Sequence, residues 1–168
     1  MKKLIMLLLM LATMATSSKA EDLDSVYTKE MLTIGTEVPD VMLDSTNNVS
    51  LKSMRGKYVV LHFWASWCTD CRKDMPAMNE LANVYSSDSI VFVHISYDTN
   101  KEAWQKYVTN NKMEGIEFSE LKKMRECTTY KLFNIKWIPA MYLVDPEGKV
   151  MLRTVKAETL AERLKQLK

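Results

Sequence analysis

Tyr58–Phe63 (YVVLHF) is an almost continuous apolar run broken only by His62, and Cys68-Thr69-Asp70-Cys71 follows after a spacer of four residues. A run of this kind, rich in β-branched residues, predicts a strand buried on both faces. Beyond the second cysteine, Met75, Met78, Leu81, Ala82 and Tyr85 recur at helical spacing, which predicts a helix over 69–85. The cysteine pair therefore sits where a buried strand turns into a helix. Few folds place a strand, a Cys-x-x-Cys and a helix in that order.

The rest of the chain extends the same pattern. Ile90–Ile95 predicts a second buried strand, and Lys101–Asn110 an amphipathic helix through Trp104, Tyr107 and Val108. A helical turn is expected near 126–133 and a strand over Ala140–Val144. Asp145-Pro146-Glu147-Gly148 then supplies the proline and glycine that a tight reversal needs. Lys149–Val155 is the expected partner strand, and Ala157–Leu167 a closing helix. Upstream, Val41–Leu43 and Val49–Leu51 flank a turn-rich stretch and predict a hairpin. Strand–helix alternation followed by a hairpin and a helix gives an α/β fold: a central mixed sheet flanked by helices on both faces.

Lys2-Lys3, a stretch of low polarity from Leu4 to Thr16, and small residues before Glu21 have the form of a cleaved secretory signal peptide over residues 1–20. The apolar stretch is shorter than the ~18–20 residues a membrane span requires. Residues 21–34 form an N-terminal segment with room for a short helix, and 35–168 the main domain. Removal of 1–20 takes away three lysines and no acid, so the net charge moves from +2 to −1. Such a chain has no electrostatic pull toward nucleic acid. The expected location is periplasmic or secreted.

An exported small domain often uses several disulfides as staples. This chain has three cysteines, too few for a disulfide framework. A zinc site needs four ligands, and beyond the pair only His62, His94 and Cys127 remain, at no ligand spacing. No metal is expected, and no cofactor. A purely structural disulfide would close so short a loop that it constrains the unfolded chain little. Redox exchange is the remaining use. A thiolate at Cys68 faces unpaired N–H groups and the positive end of the helix dipole, which lower its pKa. Cys68 is thus the expected attacking thiol, and Cys71, one turn on, the resolving thiol.

Phe63-Trp64-Ala65-Ser66-Trp67-Cys68-Thr69-Asp70-Cys71 resembles the thioredoxin active-site segment. Pro76 matches the proline that kinks the helix behind it, and Trp137-Ile138-Pro139-Ala140 resembles the loop carrying a cis-proline opposite the redox pair. Gly35–Asp40 and the following hairpin resemble the N-terminal extension of the exported TlpA/ResA-like branch, which is related to AhpC/TSA proteins. The resemblance covers about residues 35–168. It implies a thioredoxin fold with an N-terminal β-hairpin extension and a thiol–disulfide oxidoreductase. It also implies that Trp67, Ile138 and Pro139 contact substrate. The implied partners are oxidised exported proteins, apocytochrome c among them, and a membrane electron donor.

Three positions depart from the family pattern or vary within it. His62 stands where thioredoxins carry a buried acid; it is either a proton acceptor for Cys71 or a hydrogen-bonded core histidine, and His94 on the neighbouring strand can pair with it. Asp74 occupies the place of a family carboxylate near the redox pair, with a shorter reach; it is either a second proton handler or part of a solvated surface. Asp70 puts a negative charge beside Cys68, which disfavours its thiolate and leans the pair toward reducing partners. Cys127 is expected to be a buried small hydrophobe. Two other functions stand beside the leading one. A peroxiredoxin-like thiol peroxidase relies on a threonine-containing motif that Trp67–Cys71 does not match. A non-catalytic binding module is disfavoured by retention of both cysteines, Trp67 and Pro139.

Overall fold

The computed structural model describes residues 22–167. The expected signal peptide lies outside them. Strand and helix propensities are realised in the order α1 (Leu23–Tyr27), β1 (Met42–Asp44), β2 (Val49–Ser50), β3 (Tyr58–Trp64), α2 (Thr69–Tyr85), β4 (Ile90–Ser96), α3 (Lys101–Asn110), β5 (Ile116–Ser119), α4 (Thr128–Leu132), β6 (Ala140–Val144), β7 (Val150–Thr154) and α5 (Ala157–Lys165). Among the described residues no helix is long and apolar enough to cross a membrane.

The main sheet has the order β5-β4-β3-β6-β7. β3, β4 and β5 run parallel, while β6 and β7 run antiparallel to their neighbours. β3 is central, and all of it after Tyr58 is buried. Its alternating side chains divide between two faces. On one, Trp64 meets Tyr107 of α3 with centroids 5.2 Å apart. On the other, Phe63 meets Phe133, just after α4, at 5.2 Å. Both faces are therefore covered, as its central parallel strands, buried on both sides, require. Each fully buried side chain of this size contributes about 1.5–3 kcal/mol through lost contact with water.

β5 was not expected from the sequence. Four half-buried residues with Glu117 in their midst carry too little apolar signal, and only pairing with β4 defines the strand. Gly115 leads into it at φ +132°, where an added Cβ would sit 2.8 Å from the Phe92 carbonyl oxygen. The β1–β2 hairpin forms beside the sheet, and residues 35–38 add a short strip along β7 through Gly35 N–H to the Val150 carbonyl (2.8 Å) and Val38 N–H to the Gly148 carbonyl (2.9 Å).

Candidate active site

β3 delivers Trp64 into the core, and the chain then turns through Ala65–Trp67 to the start of α2. Cys68 is the N-cap of α2, with its sulfur accepting the Cys71 N–H at 3.1 Å. Cys68 and Cys71 form a disulfide with Cα atoms 5.3 Å apart. The two sulfurs are not equivalent. Cys71 is fully buried, whereas Cys68 keeps 8% of its surface open. An incoming nucleophile or partner disulfide can approach Cys68 alone.

The loop before β6 faces the disulfide. The Ile138–Pro139 peptide bond is cis, and the Ile138 carbonyl oxygen lies 3.7 Å from the Cys68 sulfur. Trp67, 58% exposed, and Trp137, 41% exposed, stand on the rim. With Cys68, Met124, Lys136 and Ile138 they line a cavity of about 320 Å³. An adjoining cavity of about 360 Å³ is bounded by Pro139, Trp137, Tyr27, Asp74 and Lys156. The structure thus brings Cys68, Trp67, Ile138 and Pro139 to one rim, with Cys71 buried behind Cys68 and Asp74 beside the rim.

Asp74 is half-buried and lines the second cavity. Burial, reinforced by the carboxylates of Glu158 and Asp70, raises its pKa above the usual carboxylate range, against an opposing pull from Lys73. Asp70 itself is exposed and pairs with Lys73 at 3.1 Å. An exposed pair of this kind is worth little and is screened by solvent. The negative charge that Asp70 places beside Cys68 is weakened accordingly.

His62 lies in the sheet interior, and its partner is His94: their Nδ1 atoms are 3.0 Å apart, and both rings are buried. The tautomers follow from chemistry. His94 Nε2 is 3.1 Å from the Glu114 carbonyl oxygen, which can only accept, so His94 Nε2 carries the proton. In the neutral pair His94 Nδ1 then accepts from His62 Nδ1–H. His62 Nε2 is left as a bare acceptor, buried and without a partner. Burial pushes the pKa of His62 well below its ordinary value, with His94 adding to the effect. It pushes His94 down to about 4.

Three features escaped the sequence. Asp98, almost fully buried, accepts the Ser66 N–H (2.9 Å), the Ser66 hydroxyl (2.6 Å) and the Ser96 hydroxyl (2.7 Å). It ties the turn before Cys68 to the end of β4. Tyr27 of α1 stacks on Trp137 with centroids 4.5 Å apart. Glu117 sits opposite His94 in the β4–β5 register, and burial raises its pKa to about 8. Its carboxylate oxygens close no hydrogen bond, although the nearby Trp104 indole slightly offsets the shift. Cys127 is buried and free, its thiol pushed up to about 11 mainly by burial. Among the described residues no group of three or more potential ligands could hold a metal ion.

A mixed sheet with a disulfide at a helix start, one sulfur slightly exposed and the other buried, facing a cis-proline loop, defines the class: a thioredoxin-fold thiol–disulfide oxidoreductase. The AhpC/TSA family model matches residues 34–153, and the chain belongs to that family. It is 31% identical over 144 residues to thiol-disulfide oxidoreductase ResA of Bacillus thuringiensis subsp. konkukian, covering 83% of this chain and 80% of the relative. ResA of Bacillus subtilis is 27% identical over 125 residues, covering 73% and 68%. Among solved structures, the thioredoxin domain of a thiol-disulfide oxidoreductase from Bacteroides vulgatus superposes with a TM-score of 0.71 at 26% identity, over 81% of this chain and 98% of that one. A thiol-disulfide oxidoreductase from Bacteroides fragilis gives 0.71 at 25% identity, over 79% and 100%.

Proposed function

We propose that this protein is an exported reductase of protein disulfides. The observation that carries the reading is the asymmetry of the pair: one sulfur at the rim, the other wholly buried behind it. In the reduced protein Cys68 attacks a partner disulfide as thiolate, forming a mixed disulfide and releasing one partner sulfur as the leaving group. Cys71, deprotonated, then attacks Cys68; the intramolecular disulfide forms and the second partner sulfur leaves. The partner gains two electrons and the protein loses two. The Cys71 N–H stabilises charge on the Cys68 sulfur while it is a thiolate.

Trp67, Ile138 and Pro139 contact the substrate, with backbone at Ile138 available to an extended segment. His62 accepts the Cys71 proton through its bare Nε2, and Asp74 exchanges protons at the rim. The direction rests on Asp70, whose charge still disfavours a strongly stabilised thiolate despite Lys73. Residues 1–20 act as a cleaved signal peptide, 21–34 as an N-terminal segment and 35–168 as the thioredoxin-like domain, placing the protein in the periplasm or outside the cell. Its partners are oxidised exported proteins, with apocytochrome c a candidate, and a membrane electron donor.

A redox titration of the Cys68–Cys71 pair, joined to an insulin-reduction assay with Cys68→Ser and Cys71→Ser, tests the reading. A reducing potential and insulin reduction that needs both cysteines are expected. A potential in the range of strong oxidants, ~−120 mV, with no reductase activity would overturn the direction.

A further inference from the structure

α1 is five residues long and cannot hold itself as an isolated helix. It is held from outside. The Asp24 carboxylate accepts from the Thr154 hydroxyl (2.7 Å), the Val155 N–H (2.7 Å) and the Thr159 hydroxyl (3.1 Å), which pins α1 to the end of β7 and the first turn of α5. Asp22 pairs with Lys156 on the same side. Just downstream, the Leu32 N–H donates to the Tyr142 hydroxyl (2.8 Å) and Arg153 to the Met31 carbonyl (2.7 Å). Two ends of one segment are thus fixed to the sheet, more than 100 residues away in sequence.

The result of this anchoring is the position of one ring. Tyr27 lies on Trp137 at 4.5 Å with the planes 26° apart, two residues from Pro139. The stack lies at the edge of the core: Tyr27 packs half-buried against it, while Trp137 stays 41% exposed. It forms a wall of the second cavity, which shares Trp137 and Asp70 with the Cys68 cavity. An extended segment whose cysteine is bonded to Cys68 and whose backbone runs along Ile138 must lay its flanking residues on either side of Trp137. One side is bounded by Trp67 and Met124; the other has an apolar wall of Tyr27, Trp137, Pro139 and Val155, with charged side chains of both signs completing its lining.

We propose that Tyr27 is a specificity-determining residue: it fixes Trp137 and builds the apolar wall of the second groove, against which an apolar or aromatic side chain flanking the cysteine of a protein disulfide packs. The inference rests on disulfide exchange at Cys68. A small disulfide reaches that sulfur without touching the groove, so the two ideas separate experimentally.

The test compares reduced wild type, Tyr27→Ala and Tyr27→Phe in stopped-flow oxidation by two probes. One is hydroxyethyl disulfide; the other is an oxidised Cys-x-x-Cys peptide with aromatic flanking residues. Tyr27→Ala is expected to raise the half-saturating peptide concentration about five-fold, the size of an aromatic contact, with the limiting rate unchanged. Its rate with hydroxyethyl disulfide should equal that of wild type, and Tyr27→Phe should restore peptide binding. Unchanged peptide saturation in Tyr27→Ala overturns the proposal. An equal loss with both probes also overturns it, since that marks a structural role. Wild-type protein that reacts with neither probe removes the exchange reading and this one with it. A reaction with the small probe alone leaves exchange standing and rejects the groove.

Discussion

Cys68 and His62 are six residues apart on one strand and its turn, yet their surroundings differ in nearly every physical respect. Around Cys68 the polar groups are matched: Cys71 N–H meets the sulfur, and Asp98 takes both polar hydrogens of Ser66. The apolar groups there are exposed, with Trp67 and Trp137 open to solvent. Around His62 the opposite holds. The row Glu117–His94–His62 crosses three adjacent strands with its apolar neighbours packed and its two end members, Glu117 and His62, short of partners. The rim has unsatisfied surface; the row has unsatisfied hydrogen-bonding capacity. The first invites a partner molecule, and the second couples the fold to protons.

The largest effect of breaking this contrast should appear in the row, as pH-dependent stability. In the folded protein Glu117 keeps its proton up to about pH 8, while unfolded it loses it near 4.5. Across that interval the folded state binds one proton more, so stability declines as pH rises. His94 titrates at about 4 when folded and 6.5 when unfolded, and His62 lies well below 6.5 when folded. The unfolded state binds more protons there, so these two groups make stability rise with pH. From about 4.5 to 6.5 the two histidines outweigh the single carboxyl, and above 6.5 only Glu117 acts. The row therefore places maximum stability near pH 6.5. Glu117→Gln should abolish the decline between pH 6.5 and about 8 and gain roughly 2 kcal/mol at pH 8, discounted for partial burial. Urea unfolding at several pH values checks this; an unchanged alkaline limb would contradict it.

A smaller effect is expected from the proposed proton transfer at His62. His62→Asn removes the bare Nε2, and resolution by Cys71 should slow several-fold with a shifted rate–pH profile, while the initial attack by Cys68 is unaltered. Stopped-flow fluorescence with a model disulfide separates the two phases. An unchanged profile would return His62 to a purely structural role.

The sequence made the rim more legible than the row. Cys68, Cys71, Trp67 and Pro139 lie in two short motifs, and their chemistry follows from residue type and spacing. Most elements were equally visible, since buried strands such as Tyr58–Phe63 and helical spacing over 69–85 are local signals. β5 escaped because a half-buried edge strand of four residues has no pattern of its own. Tyr27 escaped because its stack on Trp137 is a contact across 110 positions, anchored through Asp24 on β7 and α5. His94 was visible as a partner for His62, but the tautomers, and hence the vacant Nε2, needed the Glu114 carbonyl.

The most direct measurement is a trapping experiment with an oxidised protein substrate and each single-cysteine variant of the pair. Cys71→Ser should accumulate a mixed disulfide through Cys68, resolved only by added thiol, whereas Cys68→Ser should trap none, because Cys71 is fully buried. Trapping through Cys71 in the Cys68→Ser variant, at a rate comparable to that through Cys68, would contradict the account.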